Sequence, residues 1–238
     1  GLTDRLELGA EIPGYHRYRG FMEGAIIGVE RGTTGVAPPR KALRETGYAF
    51  NISNGSRTLF QGNDGATGLG DISFYGKYQI LKETSSLPAL SVRVGVKAPT
   101  GDTGEVFGSG HPDAGIGLAL DKKFADNWIL YANLNGVFPT GRIAGLGLQP
   151  VVSGLVAVEY LWTENFSITA QFDYYSPPFH GTGTRVLDKG VTESVLGVSY
   201  RILPGLLWQL YGVENLDFIT GSAADFTLST VLTYRFRS

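Results

Sequence analysis

The side chains that could do chemistry near neutral pH are few. Histidine occurs three times, as His16, His111 and His180, and one of the three stands beside an acid in His111-Pro112-Asp113. An imidazole with a neighbouring carboxylate could take a proton from a nucleophile while the carboxylate orients it, as a protease or lipase requires. No G-x-S-x-G elbow accompanies the pair, and the histidine spacing makes no convincing metal site. Cysteine is absent, so thiolate ligands and disulfides are not available. The Gly-x-Gly runs, such as Gly108-Ser109-Gly110 and Gly115-Ile116-Gly117, do not open a helix after a strand, so no phosphate cradle is expected. The histidines fall in segments that read as loops, where imidazoles are usually solvated. The expectation is a protein that is not an enzyme and holds no cofactor or metal.

A second set of polar side chains is larger. Arg5, Glu7, Glu11, Lys77, Arg93, Lys97, Tyr131, Glu159, Asp173, Glu193, Arg201 and Arg235 fall on one face of alternating stretches. Both signs are present, so these groups can pair across a lumen, and neither sign alone would select ions.

The elements that must position them read as strands. Ten stretches alternate with period two: Arg5 to Pro13, Asp71 to Leu81, Leu90 to Ala98, Asp113 to Lys123, Trp128 to Phe138, Val151 to Trp162, Phe166 to Tyr175, Val191 to Ile202, Leu206 to Glu214 and Phe226 to Arg237. Most are about 9–12 residues long, enough for a tilted strand to cross bilayer hydrocarbon. Tight connections at Thr84-Ser85-Ser86, Ala125-Asp126-Asn127, Thr163-Glu164-Asn165 and Leu203-Pro204-Gly205 alternate with long ones. In an up-and-down meander this places every tight turn at one rim and every long loop at the other, as in outer-membrane barrels. Greek-key sandwiches have no reason for that rhythm. Strands that run toward the long-loop rim end at proline (Pro13, Pro99, Pro139, Pro177), which cannot donate to a ladder. The hairpin is the repeating unit, with a soft period of about 40 residues.

Composition agrees with this reading. The 238 residues carry 42% hydrophobic side chains and a net charge of −2, which gives no nucleic-acid surface. No apolar run approaches the roughly 18 residues of a membrane helix, and mean hydropathy is +0.00, as alternation dictates. The 34 glycines suit turns and close strand packing.

Aromatic placement sets which face is oily. Trp128, Trp162 and Trp208 lie beside tight turns on the apolar face, with Phe166, Tyr200 and Phe236 at the same rim. Amphipathic rings gathered at one rim make an interfacial girdle, which turns the apolar face toward lipid. The final strand, ending near Tyr234-Arg235-Phe236, resembles the C-terminal strand by which bacterial outer-membrane proteins are recognised for insertion, although Arg237 and Ser238 follow the aromatic.

Residues 14–70 break the hairpin rhythm. Residues 20–30 can form a short helix with Phe21, Met22, Ile26 and Val29 on one face, and residues 45–61 a small hairpin about Asn54-Gly55. The segment is expected as an extracellular cap or a plug. The opening Gly1-Leu2-Thr3-Asp4 reads as a tight turn feeding a strand, which suggests an upstream hairpin and 12 strands in place of ten.

GLTDRLELGAEIP, GFMEGAIIGVERG and GLGDISFYGKYQIL together resemble an uncharacterised family of bacterial outer-membrane proteins carried as a domain of unknown function. VRVGVKAPTGDTG is similar to the broader group of barrel transporters linked to aromatic-compound degradation. The resemblance implies a barrel and its location, and no established activity. The expected molecule is all-β: one transmembrane antiparallel up-and-down β-barrel over residues 1–238, seated in the lipid bilayer of the outer membrane by the barrel-insertion machinery. A narrow, gated passage for a small solute is the leading function. A non-conducting structural or interaction barrel that offers its loops to an envelope protein partner is the other.

Overall fold

Period-two alternation leaves each long segment one apolar and one polar side, and the chain resolves this by pairing the segments as strands. A computed structural model describes residues 3–18, 23–32, 49–216 and 226–236. Ten strands form one antiparallel sheet: β1 (Leu6–Glu11), β6 (Ile72–Leu81), β7 (Ala89–Ala98), β8 (Asp113–Ala125), β9 (Trp128–Pro139), β12 (Val151–Leu161), β13 (Phe166–Tyr175), β14 (Val191–Leu203), β15 (Leu206–Asn215) and β16 (Phe226–Tyr234). Each neighbour follows in chain order, so the sheet is an up-and-down meander. All ten expected strands are present, with ends shifted by a few residues.

The ladders keep one rule. Even-numbered residues face even-numbered ones from Leu6↔Tyr78 to Leu206↔Tyr234, and register shifts occur only beside tight turns, at Gln79/Leu81, Lys123/Ala125 and Arg201/Leu203. One parity therefore shares one face along the whole sheet. The even face exposes its large apolar side chains, among them Val94, Ile116, Leu134, Val156, Phe172 and Leu196, the last 65% exposed. The odd face is the inner one. The sheet curls about it far enough to bring Tyr131 of β9 within electrostatic reach of Tyr211 of β15, four strands away.

The sheet is not zipped shut. β1 and β16 run in opposite directions and flank the gap, yet no backbone pairing joins them among the described residues. The expected closure of ten strands is therefore replaced by a seam. Its two sides come within electrostatic reach through side chains, Glu7 of β1 and Arg235 just past β16.

The long-loop rim carries more structure than alternation indicates. Beyond Pro13, β2 (Gly14–His16) pairs with β5 (Thr67–Leu69), which prolongs the β1–β6 hairpin above the sheet. The expected small hairpin is β3 (Ala49–Asn54) with β4 (Arg57–Asn63), turning at Gly55 with φ +59°. The expected helix is α1 (Glu23–Gly32), with Ile27 buried. Phe21 and Met22 lie outside the described residues, while Ile26 and Val29 are placed on α1 by backbone. Two further short elements were not expected: the ribbon β10 (Arg142–Ile143) with β11 (Leu146–Gly147), and α2 (Arg185–Asp188).

Candidate functional site: the inner face and its mouth

The ladder registers stack the inner-face residues in rows. In one row Glu7 pairs with Lys77 across β1 and β6 at 2.7 Å, and Lys77 lies opposite Arg93 of β7. Arg93 reaches over β8 to donate to Asn135 of β9 at 2.8 Å, and Asn135 donates to Ser153 of β12 at 3.2 Å. The residue it passes is Gly117, and a methyl group there would run into the Asn135 amide. One belt of charge and hydrogen bonds thus follows five of the six strands from β1 to β12.

A tighter knot closes the top row. The Lys97 ammonium sits between Asp71 at 2.8 Å and Asp113 at 2.5 Å and donates to Ser109 Oγ at 2.6 Å. Asp71 also accepts the amides of Gly101 and Ser109, each at 2.9 Å. Burial pushes the Asp71 carboxyl up, but the Lys97 ammonium and the two amides outweigh it and hold it down at about 2. The knot binds the starts of β6 and β8, the end of β7 and the loop between β7 and β8.

The opposite part of the wall is more packed. Ala157 and Val191 are each 1% exposed, and Ser167, Val195 and Ser199 are buried with them. Here carboxylates meet neutral donors: Tyr131 donates to Glu159 at 2.6 Å and Ser167 to the same carboxylate at 2.5 Å. Gln171 donates to Asp173, which lies directly opposite Glu193.

The expected inner-face residues are therefore separated by depth. Glu11 and Lys97 stand at the mouth, Glu7, Lys77, Arg93, Tyr131, Glu159, Asp173 and Glu193 lie within the ladders, and Arg5, Arg201 and Arg235 stand at the tight-turn rim. Among the described residues only Glu7–Lys77 and the Lys97 knot form inner-face ion pairs, so cross-lumen pairing is sparser than the mixed charge suggested. At the tight-turn rim Trp128 packs on Tyr160 at 4.7 Å, Tyr160 meets Trp162, and Trp208 donates to Thr230. Phe166 faces Tyr200, Tyr200 faces Trp208, and Phe236 packs edge-on to Tyr234.

Among the described residues no hydrogen bond or ion pair joins His111 to Asp113, in keeping with the reading that set this pair aside. The Asp113 carboxylate bonds Lys97 and the Thr140 amide, while the His111 ring lies against Gly141, whose φ of +76° excludes most side chains. Lysine in the adjacent strand outcompetes an imidazole two residues away along the same chain.

Above the top row, loops from four connections interlock. Arg17 stacks on Phe50 and Phe107 at 5.1 and 5.0 Å and pairs with Glu105 at 3.2 Å. Tyr15 stacks on Phe107, Phe60 packs on Phe179, Arg57 donates to the Ala144 carbonyl, and Gln149 to those of Pro177 and Phe179. Beneath this roof lies a cavity of about 580 Å3, with aromatic rings above and Glu11, Asp71, Ser73 and Lys97 below. Sequence reasoning found Glu11 and Lys97 and missed the rest. Asp71 had a signal, as an acid at the start of a strand next to a glycine. The aromatics had none, because loop contacts carry no periodicity.

An antiparallel meander with its large apolar side chains outside and its charges inside is the wall of a membrane β-barrel. The family described as "Protein of unknown function (DUF3187)" matches residues 46–236, and the chain belongs to that family. Among solved structures, the chain is similar to the CymD monoaromatic hydrocarbon channel at 13% identity and a TM-score of 0.40, covering 98% of this chain and 68% of that one. It is also similar to the toluene transporter TodX of P. putida at 10% identity and a TM-score of 0.39, covering 89% of this chain and 59% of that one. The comparison with curated proteins gives no match.

Proposed function

We propose that the protein is an outer-membrane barrel that gives a small solute a narrow passage, with residues 14–70 as cap or plug over its mouth. The carrying observation is the parity of the sheet: even-numbered apolar residues exposed on one side, the Glu7–Lys77 and Arg93–Asn135 belt on the other. Water-exposed, the even face would hold far more contiguous apolar surface than soluble proteins tolerate. In lipid it is matched, and the charges face a wet interior. The trypotphan-rich rim fits the bilayer interface, and the last strand fits recognition by the insertion machinery.

The fold is tested first by gel migration, where a folded barrel shifts on boiling. Passage is tested by single-channel conductance in planar bilayers, with the full chain and with the first excursion replaced by a short turn. Current that rises when the excursion is removed supports a plugged channel. Silence in both forms sinks the passage and leaves the second reading, a structural barrel that displays its loops to an envelope partner. The packed odd face around Ala157 and Val195 favours that second reading.

A further inference from the structure

We propose that the mouth cavity binds a small aromatic ammonium ion, its ring among the roof aromatics and its charge on Glu11. The proposal rests on the reading of residues 14–70 as a cap over the mouth. The cavity is of the size that takes a single-ring ligand, about 580 Å3, and is lined by Tyr15, Phe50, Phe60, Phe107 and Phe179. Rings of this kind bind any apolar body, so the polar floor must decide the class of ligand.

That floor has one group to spare. Lys97 has three N–H donors and three oxygen partners, Asp71, Asp113 and Ser109, so it offers nothing to an incoming anion. Arg17 is not among the residues that line the cavity, and its guanidinium bonds the Glu105 side chain and backbone and stacks on two rings. Asp71 is buried and saturated by Lys97, Gly101 and Ser109. Glu11 is exposed toward the cavity, and its cross-strand neighbour is Ser73, which carries no charge. Among the described residues Glu11 has no ion-pair partner, in contrast to Glu7 four positions earlier with Lys77 opposite.

Glu11 and Asp71 in the floor, with Asp113 behind it, face the single Lys97 ammonium and leave the floor negative. A carboxylate ligand would be repelled and find no free cationic donor in the lining, only the Ser73 and Tyr15 hydroxyls. A neutral ring would gain only contact area. An ammonium on a one-ring body would gain contact area, a charge-assisted bond to Glu11 and attraction to the ring faces.

The test is calorimetric titration of the folded full-length chain in detergent with benzylammonium, benzyl alcohol and benzoate. The expected order is benzylammonium tightest, benzyl alcohol weaker, benzoate without measurable binding. Glu11→Gln is expected to weaken benzylammonium about tenfold and leave benzyl alcohol unchanged. Ser73→Lys, which sets an ammonium opposite Glu11 as Lys77 stands opposite Glu7, is expected to do the same and guards against a folding defect in the first variant. Benzoate binding as tightly as benzylammonium, or both variants leaving benzylammonium unchanged, would overturn the proposal. Conductance separates the two readings: ligand selectivity in a silent barrel refutes passage alone, and a conducting barrel without selectivity refutes this site alone.

Discussion

The two halves of the wall follow the same alternation and do opposite things with their inner faces. From β1 to β8 the inner positions include Gly95 and Gly115, which lie directly opposite each other with no ring or amide folded over them, whereas Tyr75 covers Gly9 and Asn135 covers Gly117. From β12 to β15 they include Ala157, Ser167, Val195 and Ser199, all buried. Alternation decides that both halves are strands and which residues point inward. Side-chain volume at the inward positions decides whether the interior is filled or left open. The glycine half leaves room and spans it with long charged side chains, while the other half closes on itself.

The largest expected effect breaks the packed half. Val195→Asp buries a carboxylate between Gln171 and Val213, neither of them a cation, and should cost at least about 3 kcal/mol and abolish the heat-dependent gel shift. Gly95→Asp, the matching change in the open half, should leave that shift in place; equal damage from both would erase the distinction. Next, Gly115→Trp should cut single-channel conductance by more than half, whereas Gly154→Trp on the even face should not, since only the former narrows the open half.

Acid should act on the mouth. Asp71 is held at about 2, below the roughly 3.9 of an unfolded aspartate, so its contribution is complete above that higher value and is lost as pH falls toward 2. The full loss is on the order of 2–3 kcal/mol. Protease cleavage of the loops should rise over that interval, and Asp71→Asn should show it already at neutral pH. The smallest effect is expected for Arg17→Lys, which keeps the charge and loses the planar stack on Phe50 and Phe107. It should weaken the roof by about 1 kcal/mol, read as faster loop cleavage with an unchanged gel shift.

The wall was legible in the sequence because its cause is local: each strand announces its own faces, and Pro13, Pro99, Pro139 and Pro177 mark where strands running to the mouth leave the sheet. The roof was not, because Arg17 meets Phe107, and Phe60 meets Phe179, through contacts that join distant loops with no repeating spacing. His111 shows the same limit in reverse. Proximity along the chain suggested a partner in Asp113, and the strand next door supplied Lys97 instead.

The paired strands β2 and β5 carry a consequence for how this chain can be altered. His16 faces Thr67, and the ladder runs one step further as Arg17 bonds Ala66 and Gly65. Everything between leaves and re-enters through one doorway about a strand spacing wide. Such an insert is a cassette: exchanging it at that doorway should cost the roof its Arg57–Ala144 and Phe60–Phe179 contacts and leave the ten-stranded wall below in register.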